Sequence, residues 1–345
     1  MCAEQYIETQ RLTTYQVDQN KVGRASGIWQ IMQEAACHQM KTQKPSYDDL
    51  LDEGKALMLA RVDLVIPEEI YFDEEVEASS WPCPSNRATF LRNYMLSSPE
   101  AEDSCGICGT CNVCGNEEAN CGADDKPDSA DEHKKEKMLA IAATQWSLVD
   151  IESRKILKVS EVDFSNYWMG DYIELIPHKF KISVEDIEKM QSAGPVGHKV
   201  VAYGDLDYNG HMNNTYYLDM ICDYIPELAA GTHRVSGMRI HYSKEAPLGE
   251  HIAIYRLEKE LSEKEIAAFE SNNVPAEKKY VFRTLNMGKA GVGACGCVGD
   301  QQAAGAGKLA NSQQVASTEP LANGQNPAGE LNIEAEIIIT PRKDA

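Results

Sequence analysis

The sequence predicts an α+β protein built from two tandem copies of one unit, each an antiparallel β-sheet wrapped around a central α-helix. Three observations carry this expectation. An extended segment, a helix and about four strand-like runs follow one another in that order twice along the 345 residues. A glycine and a basic residue, Gly23-Arg24 and Gly210-His211, stand at matching points just before each helix. Each copy is also interrupted at the same place, between its third and fourth strand-like runs, by a segment without hydrophobic periodicity.

The first copy opens with the extended stretch QYIETQRLTTYQVD, passes through NKVGRAS and enters the helical stretch GIWQIMQEAACHQM. Ile28, Ile31, Met32, Ala35, Ala36 and Met40 recur there at helical spacing and form one apolar stripe. LMLARVDLVI, EEVEASSWPC, ATFLRNYML and LAIAATQWSLVD follow, rich in β-branched and aromatic residues as strands are. The second copy begins HKVVAYGDLDY and turns through NGHMNN. It then forms a helix over TYYLDMICDYIPEL, with Tyr217, Met220, Ile221 and Tyr224 on one face. HRVSGMRIHYSK, HIAIYRLEKE, KKYVFRTLNM and LNIEAEIIIT supply its strands. The expected organisation is a first unit over 1–165, a linker over 166–197 and a second unit over 198–345. Insertions fall at about 98–137 and 287–330.

A chain of this length accommodates about two domains of ordinary size. With 43% hydrophobic residues it can build real cores. Its formal charge of −21 repels phosphate backbones, which argues against nucleic acid as a main partner. The first residues lack a basic and then apolar leader, and no stretch approaches about 18 apolar residues. A cytoplasmic location without a membrane span is therefore expected. Eleven cysteines in such a chain point to free thiols or metal ligands rather than a disulfide framework.

Chemistry concentrates in GDLDYNGHMNNTYY. Asp207, Asn209 and His211 alternate, so in an extended backbone all three would project from one face. Asn213 and Asn214 are candidate N-caps of the helix that follows. A carboxylate, an amide and an imidazole would then meet beside a helix N-terminus, whose free N–H groups can stabilise a developing oxyanion. Such surroundings suit attack on a carbonyl. The first copy has Val22 opposite Asn209 and Arg24 opposite His211, so only the second copy is equipped. Capping alone would account for Asn213 but needs neither His211 nor Asp207.

DLDYNGHMNNTYY resembles the Asp-x-Asn-x-His-x-Asn-Asn-x-x-Tyr signature of the acyl-acyl-carrier-protein (acyl-ACP) thioesterases of plants and bacteria, which are double hotdog folds. YQVDQNKVGRASGIWQIMQEAACHQ is similar to that family's first strand and helix, and TQWSLVDIESRKILKV to its Trp-containing strand. RIHYSKEAPLGEHI resembles the stretch that carries a catalytic glutamate, here Glu245. The resemblance implies two tandem hotdog domains, the first non-catalytic and acyl-binding, and hydrolysis of fatty acyl-ACP thioesters. Glu245 would activate water, Asp207 and His211 would orient and polarise it, and Asn209 would stabilise the oxyanion. Asn213 and Asn214 would position substrate. No cofactor is required, because the substrate brings its own phosphopantetheine arm. The implied partner is an acidic carrier protein, so a local Lys/Arg patch is expected near the acyl tunnel; a homodimer is compatible with the family. Two positions depart from the pattern: Ala246 stands where members often have Cys, which leaves water attack, and Met58 where a Trp is common.

Three rival readings stay open. A hotdog acyl-CoA thioesterase would promote Asp207 to base or nucleophile. A metal or redox module would use Cys105, Cys108, Cys111 and Cys114, spaced every third residue in the first insertion. That run is one continuous Gly-rich ribbon without the separated pairs usual for tetrahedral zinc, within an insertion of eleven carboxylates and four lysines. The third rival is a catalytically inert hotdog used for binding. Cys37 and Cys222, on the helices, read as small buried hydrophobes.

Overall fold

A computed structural model describes residues 5–99, 137–176, 180–271, 273–289 and 329–343. Cys105, Cys108, Cys111 and Cys114, with nearly all of both insertions, lie outside the described residues.

The strand-like runs become strands. In the first half these are β1 (Tyr6–Arg11), β2 (Lys55–Val65), β3 (Glu75–Cys83), β4 (Phe90–Ser97) and β5 (Met138–Asp150). The second half supplies β6 (Gly197–Val200), β7 (His233–Tyr242), β8 (Glu250–Lys259), β9 (Lys278–Lys289) and β10 (Glu330–Pro341). All join one antiparallel sheet in the order β1-β3-β4-β5-β2-β7-β10-β9-β8-β6. Read from the β2–β7 seam outward, the two halves repeat the same order in opposite directions, the signature of a duplicated unit.

Helix α1 (Ala25–Thr42) lies against the first half's strands and α4 (Tyr216–Cys222) against the second's. Side chains at alternate strand positions turn toward these helices: Val62 and Leu64 of β2, Tyr94 and Leu96 of β4, Met238 and Ile240 of β7, Ile337 and Ile339 of β10. They share one continuous core with Ile28, Trp29, Ile31, Met32 and Ala35 of α1 and with Tyr217, Met220 and Ile221 of α4. The helices touch across the halves. Ser26 donates to Asp219 at 2.5 Å, and Arg24 pairs with the same carboxylate at 3.2 Å. The expected architecture of a sheet wrapped around a helix, used twice, is what the chain forms.

Local expectations need several corrections. The second helix ends at Cys222 instead of running to Leu228, and a short α5 (Pro226–Ala229) follows. The cause is Pro226, which forces Ile225 into an extended conformation (φ −105°, ψ 108°) and can only begin a helix. Further helices form at α2 (Tyr47–Asp52), α3 (Val184–Ala193) and α6 (Glu263–Ser271). Ser46, Ser183 and Ser262 stand before them, each accepting from the backbone N–H three residues on. The expected linker 166–197 thus contains a helix, α3. Cys37 is exposed, not buried, whereas Cys222 is partly buried against the core.

The outer face of the sheet is covered by the connection between halves: Leu175 and Ile176 pack on Val65, Ile141 and Ile338. Beneath them Asp63 of β2 faces Arg239 of β7 across the seam. Arg239 Nε and Nη2 donate to the two Asp63 oxygens at 2.8 and 3.0 Å, and Nη2 also donates to the Ile176 carbonyl. Neither side chain is more than 2% exposed. Arg61 donates to the same carboxylate. One acid thus holds two cations where the halves meet.

His241, next to this cluster on β7, has a buried Nε2 without a hydrogen-bond partner. Burial, with Arg61 and Arg239 nearby, pushes its imidazole down to about 4. The unfolded chain binds a proton at about 6.5. As pH falls between these values the unfolded state takes up a proton that the folded state refuses, so stability is full above about 6.5 and declines toward 4. The expected result is a fall in urea midpoint across this window that His241→Phe largely removes. An equal fall in the variant would assign the effect to other groups.

Candidate active site

The segment carrying Asp207, Asn209 and His211 is a tight hairpin, not an extended strand. Asp207 N–H donates to the His211 carbonyl at 2.9 Å, and Gly210 N–H to the Asp207 carbonyl at 3.0 Å. Gly210 has φ +78°, a conformation glycine adopts without steric cost. The short polar side chain of Asp207 folds back onto this turn, accepting from the N–H of Asn209 at 2.8 Å and of His211 at 3.4 Å. Period-two alternation therefore does not hold here, and the Asp207 carboxylate turns back onto the loop. Asp207 fixes the shape of the loop that presents His211. Asn209 is exposed, its amide 3.5 Å from the Asp207 carboxylate.

After the turn the backbone pairs with the loop between β7 and β8. Met212 N–H donates to the Ala246 carbonyl at 2.9 Å, and His211 bridges to Pro247. This register sets the His211 ring beside Glu245, with Nε2 3.4 Å from Oε2. Two buried amides hold the Glu245 loop from below. Asn286 Nδ2 donates to the Glu245 carbonyl at 3.0 Å, and Asn332 Nδ2 to the Lys244 carbonyl at 2.7 Å. Ala246 is fully buried, so the position offers neither a thiol nor an accessible surface.

Asn213 and Asn214 do not cap α4 as expected, because the helix starts after Thr215. Asn213 Oδ1 accepts from the Thr215 N–H and hydroxyl, both at 2.9 Å, and stabilises the turn one step earlier. Asn214 Oδ1 accepts from Trp29 Nε1 of the first half at 3.3 Å, while its carbonyl accepts from the Tyr242 hydroxyl at 2.9 Å. Asn214 thus ties the site to α1.

The first half also supplies side chains that sequence reasoning missed. Arg154, on the turn after β5, places Nη1 3.6 Å from the Glu245 Oε2 that His211 approaches. Tyr47 of α2 meets Tyr208 ring to edge at 6.3 Å. Nothing in the local pattern of ESRK marked Arg154, since its partner is 91 residues away. A cavity of about 340 Å³ opens beside α4, lined by His198, Asp219 and Asp223 among others; neither His211 nor Glu245 lines it. Among the described residues no group of three or more His, Cys, Asp or Glu is arranged to hold a metal ion.

Arg154 is 62% exposed, and such pairs contribute about 0–1 kcal/mol. Arg154→Ala is therefore expected to lower turnover by about threefold through a less well-oriented Glu245, without a stability change. A loss above about a hundredfold, measured as kcat/KM, would mean that Arg154 touches the reacting atoms.

An imidazole and a carboxylate at 3.4 Å, with a cation on the same oxygen, form a site able to bind and deprotonate a water molecule next to a carbonyl. Residues 189–282, which include Asp207, Asn209, His211 and Glu245, match the acyl-ACP thioesterase C-terminal domain family. The whole chain superposes on an acyl-ACP thioesterase from Bacteroides thetaiotaomicron with a TM-score of 0.62 at 14% identity, covering 97% of each chain. It superposes on a 12:0-ACP thioesterase from Umbellularia californica with a TM-score of 0.63 at 11% identity, covering 98% of this chain and 94% of the other. At these identities the likeness speaks for the fold. No curated protein matches by sequence. No helix among the described residues is long and apolar enough to cross a membrane.

Proposed function

We propose that this chain, a thioester hydrolase of the acyl-ACP thioesterase family by its C-terminal domain and its tandem hotdog fold, releases fatty acids from acyl-carrier protein by water attack. The observation that most supports this is the meeting of His211 and Glu245 at the junction of the two halves. In this reading Glu245 removes a proton from water as the oxygen adds to the thioester carbonyl. His211, positioned by the turn that Asp207 shapes, donates to the water or to the oxyanion. The Asn209 side-chain amide lies on the exposed side of the turn, where an incoming carbonyl oxygen can reach it. Collapse of the tetrahedral intermediate breaks the C–S bond, and the proton held by Glu245 returns to the departing thiolate. A thiolate is a good leaving group, so the step needs little acid assistance. Asn213 and Asn214 position the loop rather than the substrate, and no cofactor enters the reaction.

The first half, 1–165 in this division, serves acyl binding, and the second, from 198, carries the chemistry. The linker 166–197 straps them together on the outer face. The same acyl group presented on carrier protein and on CoA tests the substrate: higher kcat/KM on carrier protein is expected. Equal or better use of CoA would instead assign an acyl-CoA thioesterase. A cytoplasmic location follows from this reading and is checked by fractionation.

A further inference from the structure

A bulge interrupts β10 where it passes beneath the Glu245 loop. Leu331 of β10 faces Leu285 of β9 and Glu334 faces Arg283, so Asn332 and Ile333 together oppose the single residue Thr284. Bulges of this kind re-aim a side chain and recur next to active sites. Here the re-aimed side chain is the amide of Asn332, fully buried together with Thr284.

The hydrogen bonds around this amide run in one direction. Ile333 N–H donates to Thr284 Oγ1 at 3.2 Å, and the Thr284 hydroxyl donates to Asn332 Oδ1 at 2.8 Å. With its oxygen engaged, the amide presents Nδ2 to the Lys244 carbonyl at 2.7 Å and to the Tyr217 hydroxyl at 3.3 Å. The Asn332 carbonyl in turn accepts from the N–H groups of Ser243 and Lys244 at 2.9 and 3.2 Å. One residue therefore grips both the N–H and the C=O of Lys244, the residue before Glu245. The same amide reaches Tyr217 of α4, the helix that follows the His211 turn. Both members of the His211–Glu245 pair are thus referred to one buried point.

Every polar atom of the Asn332 side chain is bonded, and shifting it would leave buried donors and acceptors unpaired, which resists displacement. Its bonds end on backbone and on Tyr217, so the Glu245 carboxylate stays available for chemistry.

We propose that Asn332 is a positioning residue of the hydrolase, which through this bulge holds Glu245 Oε2 at 3.4 Å from His211 Nε2. This rests on the hydrolase reading above. Misplacing a reacting group by about 1 Å can cost about a hundredfold in rate. Such a loss falls on kcat and leaves substrate binding alone.

The test compares the parent chain with Asn332→Leu, which keeps the shape of the side chain, and with the double variant Asn332→Leu with Thr284→Val. Replacing both partners of a buried hydrogen bond by apolar groups of like shape costs little stability. The double variant should therefore regain urea midpoint that Asn332→Leu loses, while the grip on Lys244 stays absent. Should Asn332→Leu alone not fold, the double variant carries the test. On long-chain acyl-carrier protein, kcat is expected to fall by about a hundredfold in both variants, with KM within about twofold of the parent. A kcat that recovers with the urea midpoint, or that stays within about threefold of the parent, would make Asn332 purely structural and overturn the proposal. The ring nitrogens of His211, followed by NMR, give a readout without turnover. Their resonances should move in the double variant, and unmoved resonances would overturn the proposal. Turnover of no thioester by the parent would contradict the hydrolase reading alone, since moved His211 resonances would still show that Asn332 sets the spacing of the pair.

Discussion

Glu245→Gln is expected to fold as the parent does and to lower kcat/KM for a long-chain acyl thioester by about a thousandfold, a typical loss for a general base. The substitution keeps the size of the side chain and removes only its ability to accept a proton. Its carboxylate is about one-third exposed and is held by His211 and Arg154 rather than by the core. The loop stays in place because Asn286 and Asn332 bind its carbonyls, and those bonds do not involve the Glu245 side chain. His211→Ala should cost about a hundredfold, since the imidazole polarises without being the base. Activity of both variants within threefold of the parent would remove Glu245 and His211 from the mechanism.

Asp63→Ala is expected to cost about 3–5 kcal/mol of stability, the loss typical when one partner of a buried ion pair is removed. The magnitude follows from what remains. Arg239 would lie fully buried on the seam between the halves without the carboxylate that now neutralises it. Arg61 would lose the same partner but is less buried, so it can turn outward. Urea unfolding measures the effect. The double variant Asp63→Leu with Arg239→Met should recover much of it, because replacing both charges with apolar groups avoids burying a cation without its carboxylate. A single-variant loss below about 1 kcal/mol would mean that solvent reaches Arg239.

The two cases show which parts of the molecule were legible beforehand. The strands and the duplicated order were, because runs rich in β-branched and apolar residues such as β2 and β10 follow one another in the same order in each half. The residues of α1 were legible from their apolar stripe at helical period. The α4 boundary was missed although Pro226 was visible, since the apolar stripe was followed past it. Asp207 was assigned to an extended face, yet NG after an Asx residue is a turn signal, and the side chain closes that turn. His211 with Glu245 was legible only through resemblance: 34 residues separate them, and backbone pairing between Met212 and Ala246 brings them together. Arg154, Asn286 and Asn332 carry no local pattern, because each acts on a loop contributed by a distant strand.

The central claim is that thioester hydrolysis occurs in the second half, by carboxylate-activated water. Release of free fatty acid from long-chain acyl-carrier protein, followed with the parent chain and Glu245→Gln side by side, tests it most directly. The account predicts stoichiometric fatty acid and free carrier-protein thiol from the parent, and about a thousandfold slower release from the variant. No release by the parent, or equal release by both, would contradict it.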